Sequence, residues 1–235
     1  MKRAYYFETP IYYPFPFTNF HRYKWLFKHS FKHAILDCGV EIFWRETDYP
    51  KGFLEKYKWK AKQLNEIFHE KLWIVIPDYC DDYKHVPNNV EKTLRNIKDF
   101  MKIKEVNWLP VIQSRYLDIY SFYESIERTK EIIGDNYPRI AIGTVCKTKK
   151  LDFIEECMKA ARKHFPNSWI HAFGLTLNAL PRVADLLDSF DTSSYTFKAG
   201  SKSCGTIKER IEYFQSYHEK VKPFLKERDD LNGQN

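Results

Sequence analysis

Short apolar runs that stop abruptly at a polar or glycine residue recur along this chain, with amphipathic stretches between them. Ala34-Ile35-Leu36 ends at Asp37, Leu72-Trp73-Ile74-Val75-Ile76-Pro77 at Asp78, and Trp108-Leu109-Pro110-Val111-Ile112 at Gln113. Arg139-Ile140-Ala141-Ile142 runs into Gly143 and on to Lys147, Trp169-Ile170-His171-Ala172-Phe173 into Gly174, and Leu186-Leu187-Asp188-Ser189-Phe190 into Asp191. Continuous apolar runs of this length read as strands covered on both faces, as in a parallel sheet. Ala4 to Phe7 reads as a first, shorter strand. The stretches between repeat by threes and fours and predict helices. They cover 51–71, Asn89 (as cap) to about Lys102, Ile119–Ile133, Leu151–His164, a short Leu180–Leu187, and 206–228.

The run ends fall at positions 37, 78, 113, 143 and 174. That is about one strand-helix unit of thirty-odd residues each time. Parallel crossovers are right-handed, so such units close into a barrel or wind doubly. No GxGxxG follows the first strand, which removes the signature of a dinucleotide fold. The prediction is an α/β chain of the (β/α)8 or TIM-barrel type, allowing for an incomplete or irregular last unit. One domain spans 1–235, with a strand and an aromatic, basic segment over 1–33 and a frayed tail over 229–235. Within 21–33, bases alternate with aromatics. They read either as a grip on phosphates and bases or, preferred here, as an element with Trp25, Leu26, Phe27 and Phe31 in the core.

Composition narrows the classes. Hydrophobic residues at 43% and aromatics at 17% exclude a disordered chain. Five cysteines, an odd number with no CxxC pair, argue against a disulfide framework or a four-cysteine zinc site. His171 has no HxH or HExxH partner, which argues against zinc but leaves an Asp-rich magnesium site open. The preferred reading needs no metal and no cofactor. No apolar run reaches 18 residues and no leader pattern opens the chain, so a cytoplasmic protein without membrane contact is expected. The net charge of +7 suits a polyanion as readily as a solvated lysine surface. Oligomeric state is not legible.

In parallel barrels the chemistry sits at the C-terminal ends of the strands. Here those ends bring Asp37, Asp78, Gln113, Gly143 with Lys147, His171 and Asp191. Several carboxylates plus an amide fit general acid–base work or covalent catalysis at a sugar carbon. A magnesium-dependent sugar-phosphate isomerase or lyase is the rival. Taken singly, each carboxylate reads equally well as a helix cap or a loop hydrogen bond. Their joint recurrence is what points to a site.

These segments resemble, in order, those of the tRNA-guanine transglycosylase superfamily, and in style its branch that inserts 7-deazaguanines into DNA. Ile35-Leu36-Asp37-Cys38-Gly39 resembles the Asp-Ser-Gly-Gly segment, and Ile76-Pro77-Asp78 with Asp82 the base-recognising one. Val111-Ile112-Gln113 resembles the Val-Gln-Gly strand, Ile142-Gly143-Thr144-Val145 the Gly-Gly-Leu segment, and Ala172-Phe173-Gly174-Leu175 the Gly-Val-Gly strand. Leu187-Asp188-Ser189-Phe190-Asp191 resembles the strand that ends in the nucleophile. The resemblance implies exchange of guanine for a 7-deazaguanine such as preQ0 in DNA or tRNA, DNA preferred. Asp191 would be the nucleophile and Asp37 the acid–base group. Asp78, Asp82, Gln113, Gly143, Thr144, Val145, Phe173 and Gly174 would form the base site. Lys147, Lys149, Lys150, Lys198 and Lys202 follow two of the strand ends and would meet phosphates. Val40, Thr144 and Tyr195-Thr196-Phe197 depart from the family pattern, and its zinc motif is missing. A catalytically silent nucleic-acid-binding relative is the third reading.

Overall fold

The computed structural model describes residues 4–6, 13–28, 30–39, 48–81, 86–146, 148–192 and 206–225. It is an α/β fold in which every strand pairing is parallel. The strands are β1 (Ala4–Tyr6), β2 (Phe17–Asn19), β3 (Ala34–Asp37), β4 (Leu72–Val75), β5 (Trp108–Leu109), β6 (Val111–Ile112), β7 (Arg139–Ile142), β8 (Trp169–Ala172) and β9 (Ser189–Asp191). One sheet runs β2-β3-β4-β5 and the other β6-β7-β8-β9-β1. β5 and β6 are one stretch of chain interrupted at Pro110, which has no N–H to give to a ladder. Counted as one, they join the two sheets into a run of eight parallel strands, the number and direction that a (β/α)8 barrel needs. The two ends of that run, β1 and β2, are not paired among the described residues.

Helices cross between the strands: α1 (Phe53–Phe68), α2 (Asn89–Phe100), α3 (Ile119–Ile133), α4 (Leu151–His164), α5 (Leu180–Val183) and α6 (Ile207–Val221). α1 buries Phe53, Tyr57, Ala61 and Leu64, a stripe at helical spacing. The α3 cap is Asp118, whose carboxylate accepts the Ser121 N–H at 2.9 Å, and Gly134 at φ 82° ends the helix. A capping box between Thr206 and Glu209 starts α6.

Strand alternation sorts the core into two sides. Ile35, Val75, Leu109, Val111 and Ala141 form an inner cluster, with Phe17, Trp73 and Phe173 against it. Their neighbours Leu36, Ile74, Ile140 and Ile170 face outward, under the helices. No helix among the described residues is long and apolar enough to cross a membrane.

Several expectations need correction in detail. Two strands stop short of the runs that predict them, β4 at Val75 and β7 at Ile142. Ile76 and Val145 stay buried past the ends of their strands, Ile76 still giving its N–H to the Leu109 carbonyl at 3.0 Å. Asn89 does not cap α2: it is the first helical residue, and its amide donates to the carbonyls of Tyr79 and Ser114 at 3.2 and 2.8 Å. The helix expected over Leu180–Leu187 stops at Val183. Phe27 is 53% exposed, and Phe20 takes the core place expected for it, between Phe53 and Tyr57. The tail 229–235 lies outside the described residues.

Candidate active site

Beyond the ends of β4 and β6 lies a carboxyl that its surroundings perturb strongly. Asp78 is buried, and Gln113 Nε2 donates to its Oδ2 at 2.5 Å. The Cys38 thiol donates to Oδ1 at 3.8 Å, and the Tyr49 hydroxyl donates to the Asp78 carbonyl at 2.7 Å. Burial pushes the Asp78 carboxyl up to about 6, against the smaller downward pull of the Gln113 hydrogen bond. The tyrosines packed near it, Tyr49 and Tyr57, are themselves pushed well up by burial, so they stay neutral donors.

Gly143 makes this arrangement possible. A Cβ there would overlap the Gln113 amide and the Val111 side chain. Gly143→Ala is therefore expected to push Gln113 off Asp78. Losing that donor removes a downward influence, so the Asp78 titration midpoint is expected to rise above its wild-type value. A 13C NMR titration of the carboxyl checks this, and an unchanged midpoint would refute it. Next to Gly143, Thr144 and Ser114 share a hydroxyl hydrogen bond of 2.5 Å. Gln113 Oε1 is buried and takes no hydrogen bond.

A second carboxylate stands at the end of β9. Asp191 Oδ1 accepts the Gly174 N–H at 2.9 Å and faces His171 Nε2 at 3.3 Å. Gly174 sits at φ 55°, and a Cβ there would collide with Cys146 Sγ. Behind His171, its Nδ1 meets Ser189 Oγ at 2.9 Å, and Trp169 Nε1 donates to the same oxygen at 2.7 Å.

The third carboxylate, Asp37, has a local task. Its Oδ2 accepts the Gly39 N–H, two residues on, at 2.9 Å, the turn that Asp favours, with Gly39 at φ 81°. A Cβ on Gly39 would press on the His21 ring and approach Asn19. Asp81 also closes a loop, accepting the Val86 and Tyr116 N–H groups at 2.7 and 2.9 Å.

By alternation, Asn19, Asp37, Gln113, Gly143, Phe173 and Asp191 share a face with the inner cluster at the C-terminal ends of their strands. Asp78 joins them through Gln113. Phe173 packs edge-on against Phe17 and His171. Val145 does not belong with them: it is 1% exposed and packs in the outer core. Lys149 and Lys150 are exposed at the start of α4. Asp82, Lys147, Lys198 and Lys202 lie outside the described residues. Sequence reasoning missed Ser189 and Trp169 behind His171, and Cys38 and Tyr49 around Asp78. The alternation Trp169-His171 and Ser189-Asp191 on neighbouring strands was the available signal. Among the described residues, no three His, Cys, Asp or Glu side chains gather as a metal would require.

No protein-family model matches the chain, and no curated protein matches it. Among solved structures it is similar to one described as "Native KDPGal structure". The identity is 10% over 92% of this chain and 98% of that one, with a TM-score of 0.42. The likeness is one of fold alone.

These findings correct the resemblance to the tRNA-guanine transglycosylases. No family model supports it, and the similar solved structure carries another description. The physical reason lies in the repeat itself. Any parallel α/β chain with polar strand ends presents short apolar segments ending in Asp, Gln or Gly, in order. The base exchange, its covalent aspartyl step and the 7-deazaguanine substrate lose their support with it.

Proposed function

We propose that the chain is an enzyme moving a proton on a small polyhydroxylated carbonyl compound, as a sugar or sugar-phosphate isomerase or lyase does. The observation behind this reading is Asp78, a buried carboxyl raised to about 6 and clamped by Gln113 beside the strand ends. A group with that midpoint holds both protonation states near neutrality, the condition for efficient general acid–base work. As carboxylate it takes the proton alpha to a carbonyl. As acid it returns the proton to the neighbouring carbon while the substrate's hydroxyl proton passes to the former carbonyl oxygen, which isomerises the compound. In a lyase the carboxylate instead takes the beta-hydroxyl proton as the bond between the alpha and beta carbons breaks, and then protonates the alpha carbon of the enolate that is released. Gln113 Oε1, buried and without a partner, suits a substrate hydroxyl. Lys149 and Lys150, at the start of α4, are described cations suited to a phosphate group.

The test works whichever sugar is the substrate. The protein is incubated in D2O with a panel of ketoses, aldoses and their phosphates, and deuterium uptake alpha to the carbonyl is followed by proton NMR. Uptake with at least one compound, absent in Asp78→Asn, is the expected result. No uptake across the panel, or equal uptake by the variant, sinks the reading.

A further inference from the structure

Four side chains on β8 and β9 form one line, Trp169, Ser189, His171 and Asp191, each within hydrogen-bond reach of the next. The direction of the line follows from the groups at its ends. Indole Nε1–H can only donate, so Ser189 Oγ accepts from Trp169. The Ser189 hydroxyl proton then has His171 Nδ1 as its acceptor. At the other end, His171 Nε2 faces a carboxylate oxygen, which can only accept. A ring with its proton on Nδ1 would set lone pair against lone pair at Asp191 and leave the Ser189 proton without a partner. Both ends select the same ring form.

We infer that Trp169 and Ser189 lock His171 with its proton on Nε2, so that His171 and the Gly174 N–H together hold Asp191 Oδ1 and leave Oδ2 for a substrate hydroxyl. Oδ1 has both donors, while Oδ2 takes no hydrogen bond among the described residues. The Asp191 side chain is 14% exposed and the His171 side chain fully buried, so of this pair only Asp191 reaches solvent. Gly174 adds to the lock because its left-handed backbone turns its N–H toward Asp191. Ser189, His171 and Trp169 are positioning residues, acting through Asp191. That Asp191 meets substrate rests on the function proposed above, whereas the locked ring form does not.

The experiment reads the ring directly. Long-range proton–nitrogen NMR of the 15N-labelled protein distinguishes the two neutral histidine forms, and His171→Gln assigns the signal. The expected wild-type pattern is a pyridine-like Nδ1 and a pyrrole-like Nε2. In Ser189→Ala the pattern is expected to become a mixture of forms, and Ser189→Thr, which keeps the hydroxyl, is expected to restore it. A proton on Nδ1 in the wild type, or an unchanged pattern in Ser189→Ala, overturns the inference. The wild-type spectrum alone decides if the alanine variant fails to fold. In the deuterium assay, Ser189→Ala is expected to slow exchange about tenfold or more, with Ser189→Thr near wild type. If the wild-type protein exchanges nothing, the proposed function fails while the ring form still stands or falls on the spectrum.

Discussion

Asp78→Asn is expected to lower proton-exchange activity by about a thousandfold, within the range for removing a general acid–base group, while making the protein more stable at pH 7.5. The two effects have one cause. Asn has nearly the shape of Asp and its oxygen still accepts from Gln113 Nε2, so packing is kept. What it lacks is a proton to exchange and a charge to bury. In the folded state burial raises the Asp78 carboxyl from 3.8 to about 6. The native protein therefore binds this proton more tightly than the unfolded chain does. Between about pH 4 and pH 6, raising the pH strips the proton from the unfolded chain first, and the stability falls. The contribution is full below about pH 4, is lost as the pH passes 6, and is flat above that. A shift of this size corresponds to a loss on the order of 3 kcal/mol. Urea unfolding at a series of pH values is expected to show that decline in the wild type and a flatter profile in Asp78→Asn. A variant less stable than wild type at pH 7.5, with m unchanged, would contradict the assignment of a buried, strained carboxyl.

Arg162→Leu is expected to cost about 3 to 5 kcal/mol of stability, the range for breaking one side of a buried ion pair. Arg162 Nη2 donates to Asp188 Oδ2 at 2.6 Å, and the two side chains are only 17% and 6% exposed. Its Nε donates to the Leu186 carbonyl at 3.1 Å, and its Nη1 to the Ser168 carbonyl at 2.9 Å. Asp188 Oδ2 also accepts the Ile170 N–H at 2.9 Å. One guanidinium thus ties α4 to the approaches of β8 and β9, the strands that present His171 and Asp191. Removing it takes the charged partner from a buried carboxylate and a donor from four carbonyls, those of Phe165 and Pro166 included. Replacing both partners, Arg162→Leu with Asp188→Leu, is expected to recover part of the loss, because no charge is then left buried. Urea midpoints of the wild type, the two single variants and the double variant measure the coupling. A single-variant loss below about 1 kcal/mol would place the pair with ordinary surface bridges instead.

The fold was readable where one period decided the matter. α3 and α4 have the limits that their spacing predicts, Ile119–Ile133 and Leu151–His164; Asp118 and Gly134 bracket α3, and Pro166 follows the end of α4. The parallel order of strands followed from apolar runs separated by helices. Strand ends were overrun because burial continues past the last ladder pair: Ile76 has no exposed surface and gives its N–H to Leu109, yet lies past its strand. The candidate site was half legible. Strand-end carboxylates could be named from the sequence, but their different situations could not. Asp37 turns back on Gly39, Asp78 is desolvated, and Asp191 is held by groups on two strands, and those differences come from residues far apart in the chain. Gln113 and Asp78 are 35 positions apart. The ordered family segments misled because the repeat generates them without kinship.

The interruption at Pro110 has a geometric consequence for where Gln113 can reach. The stretch of chain on either side of Pro110 serves β4 with its first half and β7 with its second: Val75 lies opposite Leu109, whereas Ile142 lies opposite Ile112. Measured along that stretch, the rim steps up by three residues from one neighbour to the next, about 10 Å at the rise of a strand. The chain leaving β4 climbs the same three residues, from Val75 to Asp78, which brings Asp78 level with Ile112, one residue below the Gln113 that its carboxyl meets. Gly143, one residue past Ile142, arrives at that height directly. The rim is a staircase, and Asp78, Gln113 and Gly143 meet on one tread because the sheet is sheared by the length of the tripeptide Ile76-Pro77-Asp78.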